Sequence, residues 1–149
     1  MNQKENEILF SFLNEVGIIN QLAVTRFNRA LPAGLRIMQF SVLNHLIRLG
    51  DGKSPLALAN AFQVTKPAMT HTLTPLAQKK MIEIIPNPRD GRGKLVYLTN
   101  SGKENRNLAI MELADNFKFL RDKLDLEAVQ EALEVLVQIR QFLDENREN

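Results

Sequence analysis

Apolar positions along this chain change their period twice. From Glu5 to about Ala30, Leu9, Phe12, Leu13, Val16, Ile19, Leu22 and Ala23 recur at threes and fours, which predicts a long amphipathic helix. Leu31-Pro32-Ala33-Gly34 interrupts it. A second helix is expected from Leu35 to about Leu49, with Met38, Val42, Leu46 and Leu49 inward and Gly50-Asp51-Gly52 at its end. Two short stripes follow, Leu56, Ala59 and Phe62, then Met69, Leu73 and Leu76. The period then drops to two. Ile82 to Ile85 and Lys94 to Leu98 read as strands, with Val96 and Leu98 on one face and Leu95 and Tyr97 on the other. Helical spacing returns with Leu108, Met111, Ala114, Phe117 and Leu120, in a helix expected to start at Thr99 or Ser101 and run to about Lys123. Ser101 and Glu104 have capping-box spacing. Asp125 is the expected cap of a last helix carrying Leu126, Val129, Leu133, Leu136, Ile139 and Leu143.

The middle of the chain is the most specific part. Pro55 suits a helix start, and Ala59 is small enough for two helices to cross closely there. Gln63-Val64-Thr65 makes the turn, with Val64 plugging the gap and Thr65 capping the next helix. Pro67 falls in its first turn, where a missing N–H costs nothing. Pro75 lies deeper, so a kink or a loosened turn is expected there, with the His71 carbonyl left free. Opposite the apolar stripe stand Lys66, Thr70, His71 and Thr74, the short hydrogen-bonding and cationic groups that can read base edges in a major groove. Between the strands, Pro86-Asn87-Pro88-Arg89-Asp90-Gly91-Arg92-Gly93 cannot pack a core and must project, carrying Arg89, Arg92 and Lys94. Arginine is favoured in narrow minor grooves.

These residues resemble the multiple-antibiotic-resistance regulator (MarR) family of bacterial transcription factors. The resemblance runs from about Gly34 to Gly102. It is carried by Asn87-Pro88-Arg89-Asp90-Gly91-Arg92, then Leu95 to Leu98, then Thr99-Asn100-Ser101-Gly102, and by Gly34-Leu35-Arg36-Ile37-Met38-Gln39-Phe40. Asn87 replaces the family's first wing acid, and Gln63 a glycine common in such turns. Thr72-Leu73-Thr74-Pro75-Leu76 is similar to the hydroperoxide-sensing branch, but that branch senses with a cysteine, and this chain has none. The resemblance implies a mainly α (α+β) fold, a winged helix-turn-helix at 34–99 flanked by dimerisation helices at 1–33 and 100–149, all in one domain. It also implies that Asp90 orients a wing arginine, and that a small aromatic or phenolic effector releases a repressor from a palindromic operator.

Composition narrows the alternatives. Without cysteine there are no disulfides and no thiolate chemistry. The two histidines, His45 and His71, fall on different expected helices, and no phosphate loop, metal-spaced cluster or paired-carboxylate motif appears, so neither enzyme nor cofactor is expected. His45 reads as a partly buried histidine. Lys53 to Lys94 holds seven basic and two acidic residues, net +5, whereas Asp122 to Asn149 holds three basic and eight acidic, net −5. The positive excess coincides with Thr65, Lys66, Thr70, His71, Thr74, Arg89, Arg92 and Lys94, the expected DNA contacts. The acidic N-terminus and the lack of an unbroken apolar run of about 20 residues lead us to expect a cytoplasmic protein. Expected partners are double-stranded DNA and a second copy of the chain. The alternative is a winged-helix module that binds a protein and no operator.

Overall fold

The computed structural model describes residues 2–147. Helix α1 spans Gln3–Ala30, and a 3-10 turn follows at Pro32–Gly34. Helices α2 (Ile37–Leu49), α3 (Pro55–Ala61) and α4 (Lys66–Gln78) come next. Strands β1 (Ile82–Pro86) and β2 (Lys94–Leu98) pair antiparallel, and α5 covers Asn100–Asn116. Helices α6 (Lys118–Arg121) and α7 (Leu126–Glu145) complete the chain. It divides into two compact units, Met1–Leu113 and Ala114–Asn149.

The first unit is organised by one apolar core. Val42, Leu43 and Leu46 of α2, Leu58 and Ala59 of α3, Met69, Leu73 and Leu76 of α4, and Ile82 and Val96 of the hairpin are all buried in it. Ile84 lies opposite Val96 and Ile82 opposite Leu98, so the inner face of the sheet alternates as strand geometry requires. The side chains that bury differ from the expected stripes at two places. In α2, Leu43 is buried and Leu49 exposed; in α3, Leu58 is buried and Leu56 exposed. Each helix is rotated so that adjacent apolar residues share the inward arc, which leaves the more distant one of the expected stripe outside.

Polar contacts close the corners. The Asn28 side chain accepts the Ile37 N–H at 2.8 Å, joining α1 to α2. Lys79 Nζ donates to the Ala33 carbonyl at 2.8 Å. Lys53 forms an isolated bridge to Val96 beside the two-stranded sheet: the Val96 N–H donates to the Lys53 carbonyl, and the Gly52 N–H to the Val96 carbonyl, both at 2.8 Å. Thr99, rather than Ser101, caps α5: its hydroxyl accepts the Gly102 N–H at 3.0 Å and donates to the Lys80 carbonyl at 2.7 Å. That knot ties the start of α5 to Lys80 and Met81, just beyond the end of α4.

Helix α4 continues through Pro75 to Gln78 without interruption. Only one amide is lost so near the helix end, and the buried Leu73 and Leu76 clamp the chain on both sides. The helix expected to reach Lys123 stops at Asn116. Phe117 leaves helical geometry, α6 follows, and the Phe117 and Phe119 rings stack with centroids 6.3 Å apart. Finally, α1 is long and apolar enough to cross a membrane by length and composition alone. An unbroken-run count misses this, because Asn14, Glu15, Asn20 and Gln21 interrupt the apolar residues.

None of the described residues of α1 or α7 is buried. On α1 the exposed apolar residues include Leu9, Leu13, Ile19 and Leu22; on α7, Leu126, Val129, Leu133, Leu136 and Leu143.

Gly102 is the residue that the knot at Thr99 demands. A Cβ there would run into the Met81 backbone carbonyl and the Leu98 side chain. Gly102→Ala should therefore destabilise the first unit by about 1–3 kcal/mol, read from chemical denaturation with circular dichroism. Gly91→Ala, with open space around it, is the control and should be close to neutral.

Candidate nucleic-acid interface

The outward face of α4 is set by its inward one. Met69, Leu73 and Leu76 are fully buried, so Lys66, Thr70, His71 and Thr74 are exposed. Thr65 caps the helix, its hydroxyl accepting the Ala68 N–H at 3.2 Å. The preceding turn holds Gln63 at φ 53°, a left-handed conformation in which its side-chain amide donates to the Asn60 carbonyl at 2.9 Å. That bond offsets part of the strain a glycine would not have.

The wing is built by side-chain turns. Asn87 accepts the Arg89 N–H at 3.0 Å, and Asp90 accepts the Arg92 N–H at 3.1 Å. The Asn87 N–H donates to the Gly93 carbonyl, and the Gly93 N–H to the Asp90 carbonyl, closing the tip. Asp90 therefore positions Arg92 through its backbone, and among the described residues neither Arg89 nor Arg92 has an ion pair in the structure. Asn87 supplies the same kind of turn as an acid would, without the charge.

These elements enclose one groove of about 500 Å³. Lys66, Thr70 and Thr74 of α4 line one wall and Arg92, Gly93 and Lys94 of the wing another, with Ser54, Pro55 and Leu56 from the start of α3 beside them. Five of the expected contact residues thus meet in one place. His71 lies over the shoulder, in a shallow depression with Pro67, Thr70, Thr74 and Pro75. Thr65, Arg89 and Asp90 do not line the groove. Sequence reasoning missed the α3 contribution. The Ser54-Pro55 helix start was a signal for it, because a capped N-terminus faces the groove; Leu56 had been assigned to the core.

His45 stands behind this unit, half-buried on α2, its ring 5.2 Å from that of Phe62. Burial holds its pKa below the ordinary histidine value of 6.5, with further lowering from the positive charges of Lys53 and Arg48. Among the described residues no cluster of three metal-binding side chains occurs.

A helix-turn-helix with a basic hairpin wing, both bordering one groove, defines a winged helix-turn-helix protein. Residues 33–93 match the model of the MarR family. The multiple antibiotic resistance protein MarR of Escherichia coli K12 is 35% identical over 88 residues, which is 58% of this chain and 60% of that protein. The chain thus spans about three-fifths of the length of the curated relatives it matches. The crystal structure of apo wild-type MarR from E. coli superimposes with a TM-score of 0.72 at 28% identity, covering 85% of this chain and 94% of that one. A cysteine-to-serine variant of E. coli MarR complexed with operator DNA gives a TM-score of 0.70 at 27% identity, covering 93% and 99%. Over residues 33–93 the chain is thus similar to the MarR family, and it shares the fold of the solved MarR structures.

The depressed His45 pKa has a consequence for stability. Well above pH 6.5 both folded and unfolded imidazoles are neutral and no proton is linked to folding. As the pH falls below 6.5 the unfolded chain takes up the proton first, so the folded state loses stability until the folded imidazole also titrates. The urea midpoint should therefore fall between pH 8 and pH 5, and His45→Gln should make that fall shallower. Equal slopes for both proteins would show that His45 is not responsible.

Proposed function

We propose that the protein is a homodimeric, sequence-specific DNA-binding transcriptional regulator, a repressor released by a small-molecule ligand of the aromatic or phenolic kind. The observation that carries this reading is the shared groove, in which hydrogen-bonding side chains of α4 and basic side chains of the wing border one space. In this reading α4 enters the major groove, with Lys66, Thr70, His71 and Thr74 against base edges and phosphates and Thr65 at the helix start. The wing follows the backbone, with Arg89 and Lys94 on phosphates and Arg92 in the adjacent minor groove, held by Asp90. The operator-bound E. coli relative supports the mode of binding. Residues 34–99 form the DNA-reading part, and residues 1–33 and 100–149 the dimerisation part of a single functional domain.

Two copies are the natural answer to the exposed faces of α1 and α7, since a two-fold dimer matches a palindromic operator. It also gives the exposed apolar surface of α1 an occupant other than a membrane. A protein at work on chromosomal DNA is cytoplasmic.

Binding should weaken steeply with salt through counterion release. Arg92→Ala should lose affinity several-fold, most on A·T-rich flanks, and lower the salt slope by about 1. Arg36→Ala, at the start of α2, is the control for general loss of charge. Salt-independent association, or equal losses for the two variants, would favour a protein-binding module over an operator-binding one. Leu136→Asp should give monomer or aggregate where the native protein sediments as a dimer, because a charge buried in that seam costs several kcal/mol.

A further inference from the structure

The exposed face of α4 divides its labour. Pro67, Thr70, His71, Thr74 and Pro75 lie within an arc of about 140°, counting about 100° per residue, opposite Met69, Leu73 and Leu76. Thr70 and His71 keep groups that can exchange hydrogen bonds with a base. Thr74 does not offer the same chemistry. Its hydroxyl donates to the Thr70 carbonyl at 2.9 Å, so its proton is engaged within the helix. What Thr74 has left is a methyl group and an oxygen that can only accept. Pro67, two turns earlier, and Pro75, next in the chain, have no N–H and contribute only pyrrolidine rings to the same depression. The depression that these residues line is thus walled mainly by carbon.

We propose that Thr74, in a depression it shares with Pro67 and Pro75, reads the C5 methyl group of a thymine, so that each half-site carries a thymine at the position facing this part of α4. The inference rests on the DNA-binding function proposed above. A major groove presents one apolar group among its donors and acceptors, the thymine methyl, and apolar side chains are the partners it takes. A carbon-walled depression among hydrogen-bonding side chains therefore has one fitting occupant in a duplex. Thr70 and His71, on the same face, specify the neighbouring pairs by hydrogen bonds.

The test uses the full-length protein and a duplex selected from random sequence by binding. Each thymine is replaced in turn by deoxyuridine, which lacks only the C5 methyl and keeps the O4 acceptor and the pairing. A single replacement at that position should weaken binding about three- to fivefold, the contribution of one buried carbon group. Thr74→Ser, which keeps the hydroxyl and removes the methyl, should bind thymine and uracil duplexes alike at that position. Thr74→Val, which keeps methyls and removes the hydroxyl, should retain the preference for thymine. Specific binding that is indifferent to every replacement overturns the proposal. So does a uracil penalty that survives unchanged in Thr74→Ser. If no sequence is enriched from random duplexes, the DNA-binding function itself fails, and this inference falls with it.

Discussion

Burial of Met69, Leu73 and Leu76 is the interaction on which the rest of the first unit depends. These three side chains fix the rotation of α4 about its own axis. Once they are inside, Lys66, Thr70, His71 and Thr74 can only be outside, and the face they form is as rigid as the core behind it. Leu58 and Ala59 of α3 pack in the same core, and the small Ala59 suits a close crossing of the two helices. Ile82 and Val96 bring in the hairpin, so the wing is carried by the same packing that orients α4. The groove is thus a consequence of the core, with the local turns at Thr65, Asn87 and Asp90 setting its edges.

The terminal helices follow a different logic. Their apolar residues are as regularly spaced as those of α4, yet none of the described residues of α1 or α7 is buried. A helix with a wide apolar arc and a polar one is stable when another surface covers the apolar arc. The acidic surplus at 122–149, opposite in sign to that at 53–94, suits a region that does not face phosphate.

Local chemistry was the most legible part of the chain. Ser54, Thr65 and Asp125 cap their helices through side-chain hydrogen bonds to nearby amides, and the strand register follows the alternation of Ile82, Ile84, Val96 and Leu98. Residues whose fate depends on packing were harder to assign. Leu56 and Leu58 are both apolar and two positions apart in a seven-residue helix, so spacing alone does not say which one faces the core. The same ambiguity exchanged Leu49 for Leu43 in α2. The bridge at Lys53 is a single residue and leaves no period to read. The break at Phe117 has no glycine or proline to announce it. The exposed face of α4 was legible because its apolar stripe, Met69, Leu73 and Leu76, is unambiguous, but the engagement of the Thr74 hydroxyl with the Thr70 carbonyl needed coordinates.

The most direct measurement is a hydroxyl-radical and methylation footprint of the native protein on a duplex selected from random sequence. The central claim is that one core presents α4 and the wing to one duplex together, and that two copies do so symmetrically. It predicts two major-groove protections centred about 10–10.5 base pairs, or a multiple, apart, each accompanied by protection of the adjacent minor groove. A single unpaired protection, or major-groove protection without the neighbouring minor-groove one, would contradict it.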